Sequence, residues 1–193
     1  MGKVFLLALV LGVFSANTLV AQQTEAFPRL VKIINVPATE TLNVRQAATV
    51  VSQNIGDLGN GDQVELLEQV GGWSRILRQE GNGWIATRFT QPIERPQLAS
   101  GLPTGLQCGG TEPQWSVKLL KLGVAYYNDG SYLIQKSGIS RNNGTDAYYF
   151  SGEGLNGVLR RAACNDGMSD RIYGWRIDLI DGQGMFSGCC FLR

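Results

Sequence analysis

"LNVRQAATVVSQNIGDLGNGDQVELLEQVGGWSRILRQEGNGWIATRF", residues 42–89, decides the fold. Short apolar runs, "LNVR", "QVELLEQV", "WSRILR" and "GWIATRF", are split by breaks rich in glycine and asparagine. No long run of 3.6-residue period interrupts them, so the stretch reads as short strands joined by turns. Gly61 and Gly83 stand where the chain is expected to turn sharply, a role that a Cβ would obstruct. Val64, Leu66, Ile76 and Leu77 are the residues expected to line a small core.

The rest of the chain supports an all-β reading. The 193 residues include 25 glycines, and Pro and Asp-Gly turns recur throughout. At the start, Lys3 precedes an apolar run, Val4 to Val13, and then Ser15, Ala16 and "TLVA" ending at Ala21. That order of positive, apolar and small residues is a secretory signal, so residues 1–21 are expected to be removed. Leu19 is large for its place two residues before the cut. The apolar run is too short to span a bilayer, which needs ~20 residues, and no cysteine follows the cut. The expected product is periplasmic or secreted, with no membrane insertion after cleavage.

Charge and composition exclude several functions. The chain has 17 basic and 16 acidic residues, and losing residues 1–21 removes only Lys3, leaving 16 of each. A balanced chain makes no electrostatic case for nucleic acid or an anionic membrane. Histidine is absent, which excludes Ser-His-Asp and Cys-His catalysis and His-containing zinc sites. No catalytic motif, metal site or cofactor site is read from the sequence, and the expectation is a protein that is not an enzyme.

Two small domains are expected. A leader, 22–35, enters a first domain at 36–90. "QPIERPQLASGLPTGLQ", 91–107, carries three prolines and two glycines and reads as a linker. From 108 to 193, turns at "NDG" (128–130), "NNG" (142–144) and "DGQG" (181–184) separate six or seven antiparallel strands. The clearest strand is 172–180, with Tyr173, Trp175, Ile177 and Leu179 on one face and Arg176 and Asp178 on the other.

Residues 42–90 resemble a bacterial SH3-like domain. Leu42–Arg45 is the opening Leu-Asn-Val-Arg; Ile55, Gly56 and Leu58 form the next short strand; Gly61 and Val64 follow. Gly72, Trp73, Arg75 and Ile76, then Gly83, Trp84, Ile85 and Phe89, complete the pattern. The resemblance implies a small barrel of five short strands, few open edges, and binding of cell-wall peptide or a protein partner. Asn43, Arg45, Trp73 and Trp84 are the positions to examine for ligand contact. Equally, the two tryptophans belong to the motif that holds the barrel together, and Arg45 can tie the barrel through main-chain carbonyls.

All four cysteines, Cys108, Cys164, Cys189 and Cys190, lie in the second domain. In an exported chain an even count suggests two disulfides. Joining Cys189 to Cys190 demands a strained eight-membered ring. If "GCCF" is a strand its cysteines point to opposite faces, so one can reach Cys108 and the other Cys164. A four-thiolate metal site is the rival, disfavoured because adjacent cysteines chelate one tetrahedral ion poorly. "CGGTEPQWSV" (108–117), "CNDGMSD" (164–170) and the final "GCC" resemble an uncharacterised family of bacterial envelope domains. Gln114 stands where that family has an aromatic and Gly174 where it has proline. The resemblance implies a compact exported β domain, barrel-like or a sandwich, and carries no established activity.

In this domain Glu112, Trp115, Asp166 and Asp170 are the candidate ligand-binding residues, on the expectation that Glu112 and the aspartates converge at one barrel mouth. The acidic loop lacks the oxygen ligands of a calcium loop, so Asp166-Gly167 reads as a tight turn with Ser169 or Asp170 capping nearby amides. The functional expectation is an exported non-catalytic binding protein of the bacterial envelope. Two alternatives are an envelope enzyme working through Glu112 with Asp166 or Asp170, and a lipocalin-like inhibitor or carrier with an apolar cavity.

Overall fold

The computed structural model describes residues 27–128, 131–136, 138–143, 145–152 and 154–193. The expected signal segment at 1–21 lies outside the described residues, as do Asp129, Gly130 and Gly144 of two expected turns. The fold is nearly all β and builds two antiparallel sheets.

The first sheet has seven strands: β1 (Arg29–Ile33), β2 (Leu42–Arg45), β3 (Asn54–Leu58), β4 (Gln63–Val70), β5 (Trp73–Leu77), β6 (Asn82–Ala86) and β7 (Thr90–Pro92). Their order is β3-β2-β6-β5-β4-β1-β7. Five of these strands are the expected ones. β1 lies in the stretch read as a leader, and pairs with β4 on one side and β7 on the other. It does so because "RLVKI" alternates, sending Val31 and Ile33 into a core with Leu42, Val44, Leu66, Ile76 and Ile85.

Two details differ from the sequence reading. Leu77 is buried outside this core and packs toward the second sheet, and Val64 only borders the core. Gly61 does turn with φ +97°, but Gly83 sits within β6. A Cβ at Gly83 would collide with the Val44 side chain, so this glycine allows close packing rather than a turn.

The second sheet has nine strands against the expected six or seven. They are β8 (Leu106–Thr111), β9 (Gln114–Leu120), β10 (Gly123–Asn128), β11 (Ser131–Lys136), β12 (Ile139–Arg141), β13 (Ala147–Gly152), β14 (Leu155–Asn165), β15 (Ile172–Asp181) and β16 (Gly184–Leu192). The order is β11-β10-β9-β8-β16-β15-β14-β13-β12. Short "ISR" and glycine-bearing "LQCGGT" lack the alternating pattern that would have marked them. Trp175, Ile177 and Leu179 are fully buried together with Phe150 and Leu159, each worth roughly 1.5–3 kcal/mol. Leu102 and Leu106, from the stretch read as a linker, are fully buried in the same core.

Tyr173 is buried at its expected alternating position but does not join the main core. It joins Leu77, Cys164 and Cys189 in a small cluster at the seam between the sheets. Asp178 is also not solvated as expected: it accepts hydrogen bonds from Ser187 and Arg160 and pairs with Arg176. Desolvation raises the Asp178 carboxyl, but Ser187 and the two arginines outweigh it and hold it below its ordinary value.

The disulfides are Cys108–Cys190 and Cys164–Cys189. Cys190 faces Cys108 directly across the β16–β8 ladder and enters the main core, whereas Cys189 enters the seam cluster. With sequence separations of 82 and 25, loop-closure entropy assigns about 4.5 and about 3.5 kcal/mol. Cys108→Ala with Cys190→Ala should therefore lower the unfolding free energy by about 4–5 kcal/mol, and Cys164→Ala with Cys189→Ala by about 3–4. Urea unfolding of both double variants checks the order; a smaller loss from the 108–190 pair would refute the loop argument.

Candidate binding sites

Strand alternation sets one face of the first sheet toward solvent. Asn43 and Arg45 on β2, Trp84 on β6, and Trp73 and Arg75 on β5 share it. Register aligns them: Arg45 lies opposite Trp84, Trp84 opposite Arg75, and Arg75 opposite Glu68. Trp73 and Trp84 are half-buried and stand outside the core cluster. Four residues singled out from sequence thus lie together, and Arg75 joins them through the ladder register.

Their polar partners are local. Arg45 donates to the Ser52 carbonyl at 2.8 Å, tying down the loop between β2 and β3. Asn43 Oδ1 accepts from Asn54 at 3.3 Å. Arg75 pairs with Glu68 at 3.1 Å, an exposed bridge of small energetic weight. What this leaves for a partner is two indole faces flanked by guanidinium groups, suited to stacking and to carboxylate or carbonyl acceptors.

Residues 40–91 match the family model of the bacterial SH3 domain. These residues form a bacterial SH3 domain. No curated protein and no solved structure matches the chain. Bacterial SH3 domains suggest peptidoglycan or protein binding, and with two disulfides the domain is consistent with an extracytoplasmic location.

The opposite end of the SH3 domain's outer face is docked on the second sheet. Asn82 inserts its amide against β15: Oδ1 accepts from the Ile172 amide at 2.8 Å, and Nδ2 donates to the Ile172 carbonyl at 3.0 Å. Beside it, Leu77 and Leu67 meet Tyr173, Phe191 and the Cys164–Cys189 bridge. Gly174 lies so close to Pro28 that a Cβ there would overlap the proline ring.

In the second domain, Glu112 and Asp166 line one pocket with Thr111, Arg176 and Gly188. Asp170 is exposed and does not line it. Asp166 closes its own turn: Oδ1 accepts from the Met168 and Ser169 amides, and Oδ2 from Tyr173 at 3.1 Å. Desolvation raises this carboxyl, but those donors outweigh it and hold it below the ordinary value. Ser169 caps the Arg171 amide. Trp115, expected near a ligand, is 3% exposed and packs in the core, where Gly110 and Gly188 make room for its ring. Its bulk places it inside, out of reach of a surface ligand.

A feature missed from sequence is Glu65. It lies opposite Leu30 on β1, is 3% exposed, and neither carboxylate oxygen has a hydrogen bond. In the sequence Glu65 is one of four polar residues in β4, with no motif to mark it. Burial pushes its carboxyl up to about 8; the nearby Leu192 main chain, Arg171 and Arg95 reverse this only in part. Between about 4.5 and about 8 the folded chain therefore holds a proton that the unfolded chain has released. Stability should fall as pH rises through that window, by at most ~1.4 kcal/mol per unit, then level off. Glu65→Gln should flatten this slope and raise stability at pH 8. Urea unfolding of both proteins from pH 5.5 to 8.5 checks it; parallel slopes would overturn it.

Proposed function

We propose that this is an exported, non-catalytic binding protein of the bacterial cell envelope, in which the SH3 domain engages cell-wall peptide or an envelope protein. The observation that carries this reading is the row of Arg45, Trp84 and Arg75 with Trp73, on a face where neither indole serves the core. Half-exposed tryptophans beside arginines are the side chains that dominate binding energetics. The signal-like segment at 1–21 and the paired cysteines support export.

The two alternatives have less behind them. An acid–base pair at Glu112 and Asp166 would need one carboxyl free to carry a proton, whereas Asp166 is occupied as an acceptor from two amides and two hydroxyls. A carrier would need an apolar cavity, and Trp115, Phe150, Trp175, Ile177 and Leu179 fill the space inside the second sheet.

Co-sedimentation of the protein with purified peptidoglycan tests the proposal. Wild type should pellet with it, and Trp73→Ala with Trp84→Ala should cut the affinity by roughly tenfold or more. Glu112→Gln should leave binding unchanged. Failure of the wild type to co-sediment rules out cell-wall peptide as the ligand; binding that survives loss of both tryptophans rules out this face.

A further inference from the structure

The seam between the SH3 domain and the second sheet holds a groove of about 680 Å³, large enough for a short peptide. Its lining carries both signs of charge: Asp57, Glu65 and Glu80 against Arg78, Arg171 and Arg193. Two of these groups keep buried polar atoms without a hydrogen bond. Both Glu65 oxygens are buried without a hydrogen bond, and so is Arg171 Nε. No hydrogen bond joins the Glu65 oxygens to Arg171. Instead the Arg171 guanidinium lies over the rings of Tyr173 and Phe191, at 4.7 and 6.0 Å from their centroids.

A buried carboxylate with no donor is costly, and it is relieved by a proton or by a cation that brings its own donors. A primary ammonium supplies three. A carboxylate on the same ligand would find a donor in the Arg171 guanidinium, whose Nε has no hydrogen bond. A groove of single sign would favour a polyion; balanced signs around a buried acid and a guanidinium Nε that both lack a hydrogen bond favour a zwitterion, for which the acid gives up its proton. We propose that this groove binds an amino-acid or short-peptide zwitterion, its ammonium seated on Glu65 and its carboxylate on Arg171. The Glu65 oxygens are buried, so seating an ammonium on them requires the half-buried Arg171 and Phe191 side chains to move.

The proton balance is specific. At pH 7 Glu65 is mostly protonated, since its carboxyl sits at about 8. An ammonium requires the carboxylate, so binding releases about one proton to solvent.

The inference deepens the proposed binding role and rests on it only in treating the protein as a binder. Calorimetry at pH 7 with alanyl-alanine, its N-acetyl form and its C-terminal amide, in two buffers of different ionisation enthalpy, tests it. The dipeptide should bind with release of close to one proton, acetylation should weaken binding tenfold or more, and amidation several-fold. Glu65→Gln, isosteric and with its fold checked by circular dichroism, should lose tenfold and release no proton; Arg171→Gln should mimic the amide effect. No binding at millimolar dipeptide, equal binding of the acetylated form, or unchanged affinity and proton release in Glu65→Gln would each overturn it. Should the dipeptide fail while peptidoglycan co-sedimentation persists and depends on the tryptophans, only the groove is lost. The reverse pattern would remove the envelope reading alone.

Discussion

Two adjacent cysteines on β16 set the geometry on which the second domain and its contact with the SH3 domain depend. In a strand successive side chains point opposite ways. Cys190 therefore enters the main core and joins Cys108 on the neighbouring strand, while Cys189 turns to the seam and joins Cys164 two strands away. One short stretch of backbone thus locks the middle of a nine-stranded sheet and the surface on which the SH3 domain sits. Gly188, just before them, permits this: a Cβ there would strike the Gly109 carbonyl and the Trp115 ring.

The seam built on that strand mixes rigid contacts with an unsatisfied one. Asn82 acts as a surrogate strand neighbour for Ile172, offering one donor and one acceptor to main-chain groups at the start of β15. Leu77 and Phe191 close the apolar part. The oxygens of Glu65 on β4 have no hydrogen bond of that kind. A protein optimised for stability alone would place an apolar residue there, which makes this carboxyl the chemically informative residue of the interface.

Much of the candidate site was legible along the chain because strand period is a local property. Asn43, Arg45, Trp73 and Trp84 fall on one face through alternation in β2, β5 and β6, and glycine-rich breaks mark where those strands end. The turn at 164–170 was equally local: Asp166 closes on the amides two and three residues ahead. Trp115 misled because an indole beside a carboxylate looks the same in sequence whether the ring is buried or exposed. Only the cross-strand neighbours Gly110 and Gly188 decide that it is inside.

The order of residues by itself determined an all-β chain, an SH3 domain at 40–91, and four cysteines suited to two bridges, because these rest on periodicity, turn chemistry and count. Tertiary structure decided the rest. Recruitment of residues 29–33 into the first sheet, the choice between the cysteine pairings, and the burial of Tyr173 and Leu77 at the seam all depend on contacts between distant segments. Glu65 shows the difference most sharply. In its strand it is one of four polar residues with nothing to set it apart; only in the folded chain does it become a desolvated carboxyl lining the same groove as Arg171.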